Sequence, residues 1–279
     1  MVRPIADAVR AADSVSLEGG HIALIPGDPA ATARLREILG LAAPVPSEDA
    51  LAVMALTPAT DPEPGVSVLE RRRHSGGGAL AVLVGDAGER AAIERRLLEG
   101  FRLEVSNVAH VPALDEPGEH LVVEALLRVL GDEAVAAGRR NPGLRPAVGR
   151  RLVRTAARQS AAIGALPLPG VDMPALALIQ VRLVAQLAAL HDRPFGAERA
   201  VEALAIVGAG FGWRALARSA TSAIPVAGWT VRGTVAYGAT RAVGEAALAR
   251  LAAGHDLIEG PPFEKARPVI DRVVGHLRR

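Results

Sequence analysis

The chain contains no cysteine, which excludes disulfides, thiolate catalysis and cysteine-ligated metal centres. Lysine is nearly as scarce. Among 32 basic residues Lys265 is the only one, and it stands near the C-terminus. Aromatic residues make up 3% of the chain although 50% of it is hydrophobic. The core is therefore aliphatic and alanine-rich, a composition suited to closely packed helices rather than a β-sandwich. The same shortage removes the stacking platforms of nucleic-acid binders. Long apolar runs are missing as well. A spanning helix needs about 18–20 consecutive apolar residues, and Asp172, Arg182, Arg214 and Arg218 interrupt the best candidates. Met1 to Arg10 lacks the apolar stretch of a secretory signal. A re-entrant or interfacial association is compatible with this pattern.

Acidic residues are absent from two stretches. None lies between Glu133 and Asp172, and none between Ala203 and Gly244, whereas arginines are frequent in both. The net charge is only +2 over 279 residues, but the C-terminal half is basic and the N-terminal half acidic to neutral. Such segregation implies an anionic partner.

Two segments of the C-terminal half read alike: Ala165-Leu-Pro-Leu-Pro-Gly170 and Ala223-Ile-Pro-Val-Ala-Gly228. Proline ends a helix and glycine lets the chain reverse. Pro167, Pro169 and Gly170, and later Pro225 and Gly228, thus mark the turns of two helical hairpins. The arms run over 150–163, 172–190, 198–223 and 229–252. Asp172 is placed to cap the first return arm. The N-terminal half alternates short apolar strands (21–25, 50–56, 79–84, 105–111) with helices (30–39, 90–99, 119–130), and 66–74 is ambiguous. Alternation of this kind predicts a small parallel α/β layer. The expected fold is α/β plus all-α: a degenerate P-loop- or Rossmann-like parallel sheet, then a helical-hairpin bundle. The expected divisions are a leader at 1–19, the α/β domain at 20–131, a linker at 132–149, the helical domain at 150–255 and a C-terminal helix at 256–279.

Strand, glycine turn, helix occurs at Gly27 and again at Gly85. A nucleoside-triphosphate loop would require Gly-x-x-x-x-Gly-Lys-Ser/Thr. Here Thr32, Ala33 and Arg34 occupy the three diagnostic positions, and Asp28 puts negative charge where phosphates would lie. With its one lysine at 265, the α/β part can supply no phosphate-loop lysine, and arginine is not its equivalent. NTP hydrolysis is therefore disfavoured. No strand end carries Gly-x-Gly-x-x-Gly leading into a helix. Gly208 and Gly212 sit in a helical context, where they let helix backbones approach. The seven histidines show no metal-ligand spacing. No catalytic residue, cofactor or metal site is expected. Asp86 and Glu89 have the spacing of a capping box.

Arg151, Arg154 and Arg158 fall on one helical stripe with Arg150 beside it, the pattern of a basic amphipathic segment at a membrane surface. The plainer alternative is a solvated face. Glycine costs about 1 kcal/mol in a helix interior. Its crowding at Gly208, Gly210, Gly212, Gly228, Gly233, Gly238 and Gly244 points to very close helix packing or a membrane-adjacent setting.

The order Ile163-Gly-Ala-Leu-Pro-Leu-Pro-Gly-Val-Asp-Met-Pro174, Gln180, Ala223 to Gly228, then Val235-Ala-Tyr-Gly-Ala-Thr240 with Gly244, resembles the YcjF-type, GTPase-associated domain of unknown function, family 697. The resemblance covers about 150–251. It implies proximity to Era-like GTPases and a place on the cytoplasmic side of the inner membrane, or in the cytoplasm. It also makes the α/β part look like a shrunken G domain. That part lacks the phosphate-loop lysine and, after 79–84, the guanine-reading Asn-Lys-x-Asp. The expectation is a non-catalytic, membrane-associated adaptor or regulator. Its partners would be a membrane surface or membrane protein and a GTPase, not nucleic acid, with oligomers admitted. The alternatives are a nucleotide- or small-molecule-binding α/β protein and a soluble helical scaffold that oligomerises through glycine faces.

Overall fold

A computed structural model of the chain describes residues 19–41, 50–74, 77–100, 104–165, 172–193 and 228–255. These fall into two compact units, one comprising the described residues up to Val148 and the other those from Gly149 onward. The expected leader up to residue 18, the arm at 198–223 and the C-terminal helix lie outside the described residues.

The first unit is a four-stranded parallel sheet with interleaved helices, as expected. Strands β1 (Ile22–Leu24), β2 (Leu51–Leu56), β3 (Ala79–Val84) and β4 (Val108–Val111) stand side by side in chain order. Ile22 pairs with Leu51, Ala52 with Ala79 and Ala81 with Val108. Every residue of β2 is buried. A parallel strand covered on both faces has no use for alternation, and that is why the sequence of β2 is an unbroken apolar run.

Helices cover both faces. On one, α2 (Glu63–His74) and α3 (Ala87–Arg95) place Val66, Leu69 and Ile93 against Met54, Ala81 and Leu83. A π-helical turn, Arg96–Gly100, follows α3 and adds Leu97 to this core. On the other face lie α1 (Pro29–Leu39) and α4 (Glu116–Leu130). A side chain at Gly118 of α4 would meet Val111 of β4 2.8 Å away. Arg34 ties α1 to α4, through the carboxylate of Glu119 and the carbonyl of Leu114 at 3.3 Å. Three successive crossovers that step the same way across a sheet put their helices on one face if they share one hand. Here α1 is opposite α2 and α3. The β1-to-β2 connection therefore has the opposite hand to the two that follow.

Residues 132–149, expected as a linker, are helical apart from Asn141. A 3-10 turn (Gly131–Glu133), α5 (Ala134–Arg140) and a second 3-10 turn (Pro142–Leu144) lead into α6 (Arg145–Ala165). Ala134, Val135, Ala136 and Ala137 are all buried. Arg145 closes the end of α5 by donating to the carbonyls of Gly138 (3.3 Å) and Arg139 (2.9 Å). Three other boundaries also shift. The ambiguous 66–74 segment is helical from Glu63, β4 begins only at Val108, and α4 begins at Glu116 because Asp115 caps it by accepting from the Gly118 N–H at 3.0 Å. The expected capping box at Asp86 is not formed, since its side chain makes no cap hydrogen bond to α3.

The second unit contains the rest of α6, with α7 (Asp172–Leu190) and α8 (Gly228–Ala252). Glycine is what brings α6 and α8 together. A Cβ at Gly164 would lie 2.9 Å from the Ala236 methyl, and one at Gly233 would lie 3.0 Å from the Ala161 carbonyl oxygen. At Gly244 it would lie 2.7 Å from Val153. Gly238 has nothing within 4 Å. Replacing Gly233 by leucine should therefore destabilise the chain by about 1–3 kcal/mol through overpacking. Gly238→Ala should stabilise it by up to about 1 kcal/mol. Urea unfolding of the two variants reads the opposite signs, and a matching loss in both would contradict this assignment.

Candidate functional site

In open α/β sheets ligands bind outside the carboxyl ends of the strands, where helix N-termini converge. Here that edge carries Pro26-Gly-Asp28 after β1, Thr57 to Asp61 after β2, Gly85-Asp86 after β3 and Pro112 to Asp115 after β4. The N-terminus of α1 is already filled. Asp28 accepts from the Ala31 N–H at 2.8 Å, and the Thr57 hydroxyl donates to its second oxygen at 3.0 Å. The Thr60 hydroxyl lies 2.9 Å from that of Thr57 and accepts from the Thr57 N–H at 3.1 Å. The backbone hydrogen bond from Ala31, reinforced by Thr57, holds the Asp28 carboxyl below its ordinary pKa, against the opposing effect of desolvation. A helix N-terminus favours an anion, and in this chain the anion is covalently attached.

The neighbouring groups add to this. A Cβ at Gly27 would collide with the Ala55 carbonyl, so the loop lies flat on β2. Pro29 removes one backbone N–H from the first turn. Arg34, at the position of the metal-binding hydroxyl in a phosphate loop, pairs with Glu37 at 2.9 Å and with Glu119. It points along the helix surface to acids. Asp61 accepts from the Glu63 N–H at 3.3 Å and Asp115 caps α4. The edge is thus lined with carboxylates that serve its own helices. Among the described residues no group of His, Asp or Glu is arranged to hold a metal ion.

In the second unit a buried polar chain joins three helices. Gln180 of α7 donates to the Thr240 hydroxyl of α8 at 3.2 Å, and Thr240 donates to Ser160 of α6 at 2.8 Å. Ser160 and Thr240 are fully buried. Buried hydroxyls without partners cost about 1–3 kcal/mol each, so this chain fixes the register of all three helices. Sequence reasoning singled out Gln180 and Thr240 but missed Ser160. The available signal was its place on the apolar stripe Val153, Ala156, Ala157 and Gly164, where a lone hydroxyl needs a partner. It also missed Thr57 and Thr60, whose signal is the Thr-x-x-Thr that follows a buried strand.

The basic residues lie on α6 as expected. Arg150, Arg154 and Arg158 are exposed and Arg151 is half-buried. The other exposed residues of that face within the second unit are Thr155, Gln159 and Ala162. Asp172 and Gly228 are the first residues of α7 and α8. Pro167, Pro169, Gly170, Pro225, Gly208 and Gly212 lie outside the described residues. No helix among the described residues is long and apolar enough to cross a membrane.

The features of the second unit define a helical domain clasped by glycines and held in register by a Gln–Thr–Ser hydrogen-bond chain. Residues 141–274, just under half of the chain, are a domain of unknown function of the DUF697 family. That range begins at Asn141, just before the turn that leads into α6, ahead of the 150 expected from the turn motifs. No curated protein and no solved structure matches the chain.

Asp28→Ala should destabilise the chain by about 1 kcal/mol at neutral pH. The folded-state pKa of Asp28 is lowered, so its contribution is present above the ordinary value of 3.8 and fades as pH falls through the folded value. Urea midpoints of the wild type and the variant should converge in acid. A gap that stays constant down to pH 2 would contradict the capping role. Thr240→Val, which strands Gln180 and Ser160, should cost about 1–3 kcal/mol, whereas a neutral result by the same assay would show that the polar chain is dispensable.

Proposed function

We propose that this protein is a non-catalytic, membrane-associated adaptor or regulator. On this reading its α/β unit is a degenerate G domain without GTPase activity, and its helical unit meets the membrane surface or a membrane protein. The observation that carries the reading is the filled N-terminus of α1. The place where a nucleotide phosphate would receive backbone N–H groups is held by the Asp28 carboxylate, itself fixed by Thr57. Coulomb repulsion between that carboxylate and a phosphate acts at contact distance, where it is least screened. No lysine exists in this unit to offset it.

The crossover of opposite hand between β1 and β2 supports the same descent. Connections of left hand between parallel neighbours are rare. In a doubly wound sheet, helices on opposite faces flank a switch point where strand order reverses. Removing the strands between the first helix and the next inner strand would leave that helix on its original face and bring β1 and β2 together. The sheet described above has this form, with α1 and α4 on one face and α2 and α3 on the other. The DUF697 match is to a domain of unknown function, and the association with GTPases rests on the family resemblance of the turn motifs alone.

The basic face of α6 and the charge division of the chain support the anionic partner. Residues 16–148 carry 13 basic and 19 acidic side chains, and residues 149–279 carry 17 and 9. The purified full-length chain with Mg²⁺ and GTP or ATP should release no phosphate above buffer, and after gentle lysis it should sediment with membranes. Turnover of either nucleotide would sink the non-catalytic reading. Recovery wholly in the supernatant at low salt would sink the membrane reading.

A further inference from the structure

The mode of membrane contact can be argued from the packing of α6. An interfacial amphipathic helix buries an apolar face among acyl chains. The apolar face of α6 is already committed within its unit. Val153 lies against the position of Gly244, Gly164 against Ala236 and Gly149 against Leu248. Ser160 in the middle of that face is held by Thr240. Rolling α6 to present this stripe to lipid would break the hydrogen bond and open the glycine contacts. The face that remains outward bears Arg150, Arg154 and Arg158 at successive four-residue steps; its exposed positions carry nothing apolar larger than Ala162, and Leu152 and Ile163 are half-buried. At 1.5 Å per residue these three charges span about 12 Å along one line. The sequence holds no acidic residue between Glu133 and Asp172, so α6 itself carries none.

We infer that the arginine face of α6 docks on the phosphate groups of an anionic lipid surface by charge alone, without insertion into the acyl region. This rests on the membrane reading proposed above and specifies how that contact is made. A lipid surface fits better than a nucleic acid. A bilayer offers a laterally continuous plane of headgroup phosphates that requires no register. The face also holds no aromatic side chain on which a base could stack. Guanidinium groups suit phosphate oxygens because they can bind them in a bidentate manner.

The test is sedimentation of the full-length chain with neutral phosphatidylcholine vesicles and with vesicles containing phosphatidylglycerol. Binding should require the anionic lipid and should be released by about 0.5 M salt, as expected for a screened interaction. The double variant R150E/R158E should lower affinity at least tenfold with an unchanged thermal midpoint. Both side chains are exposed and neither takes part in the core. Arg150→Lys with Arg158→Lys should retain most of the binding and thereby separates charge from any structural effect. Binding that resists salt, or that is equal on neutral vesicles, would overturn the inference in favour of acyl insertion. Salt-sensitive binding unaffected by R150E/R158E would place the contact on another surface. Preferential binding of duplex DNA or RNA at equal phosphate concentration would replace the lipid with a nucleic acid. If the chain binds no vesicle at all, the inference fails; the membrane reading falls with it only if the chain also fails to sediment with cell membranes after gentle lysis.

Discussion

Parallel strands can be joined only by crossovers, and each crossover delivers a helix N-terminus to the carboxyl edge of the sheet. The partial positive charges of these termini must be met by something. In a nucleotide-binding protein the ligand's phosphates meet part of the demand. Here the chain meets much of it from within: Asp28 at α1, Asp61 at the start of α2 and Asp115 at α4. The consequence reaches beyond local stability. On the proposed reading, an edge already supplied with carboxylates repels the ligand class that such a topology is suited to bind. The lowered pKa of Asp28 expresses the same balance, because backbone donors that would stabilise a phosphate instead stabilise the ionised side chain.

The helical unit solves a different problem. Alanine, valine and leucine helices pack readily in many registers, since one small apolar residue substitutes for another with little loss. Two devices remove that freedom. Gly149, Gly164, Gly233 and Gly244 admit close approach only where they lie opposite Leu248, Ala236, Ala161 and Val153. The Gln180–Thr240–Ser160 chain is satisfied only when all three helices are in place. The glycines lower intrinsic helix stability, and the buried hydroxyls carry a desolvation cost. Both are offset only in the native register, which makes them devices of specificity rather than of bulk stability.

These same principles decide what could be read from the sequence. Strands β2 and β3 were legible because each is an apolar run with a clear stop, Gly78 and Gly85 around β3 and Glu48-Asp49 and Thr57-Pro58 around β2. Helix α1 was legible because Asp28, Pro29 and Gly40 punctuate it, and the structure gives Asp28 as cap and Gly40 in the left-handed conformation. Helix α5 was not legible. Its residues Ala134 to Gly138 are all buried, so no polar face gives it a helical period, and the flanking Gly131, Asn141 and Pro142 read as a loop. At Asp86 the spacing was right but the side chain makes no cap bond, because sequence spacing does not fix the rotamer. The arginine cluster on α6 was legible from its three- and four-residue spacing, although Arg150, not Arg151, joins Arg154 and Arg158 among the exposed residues. The use of its opposite face against glycines of α8, some 80 residues away, was not, since that contact depends on tertiary partners.

On the proposed reading, loss of a phosphate ligand and gain of an internal cap reinforce each other. Without the ligand's negative charge, a bare α1 N-terminus would leave backbone donors unmet. An aspartate at the cap then contributes about 1 kcal/mol. Once Asp28 is in place and engaged with Thr57, restoring phosphate affinity requires more than a lysine: the carboxylate must also go, and with it the stability it provides. Arg34 adds a second barrier, since its pairing with Glu119 fastens α1 to α4 across that face of the sheet. A site in this state is held closed by folding energy, so it would remain shut without any selection against nucleotide binding as such.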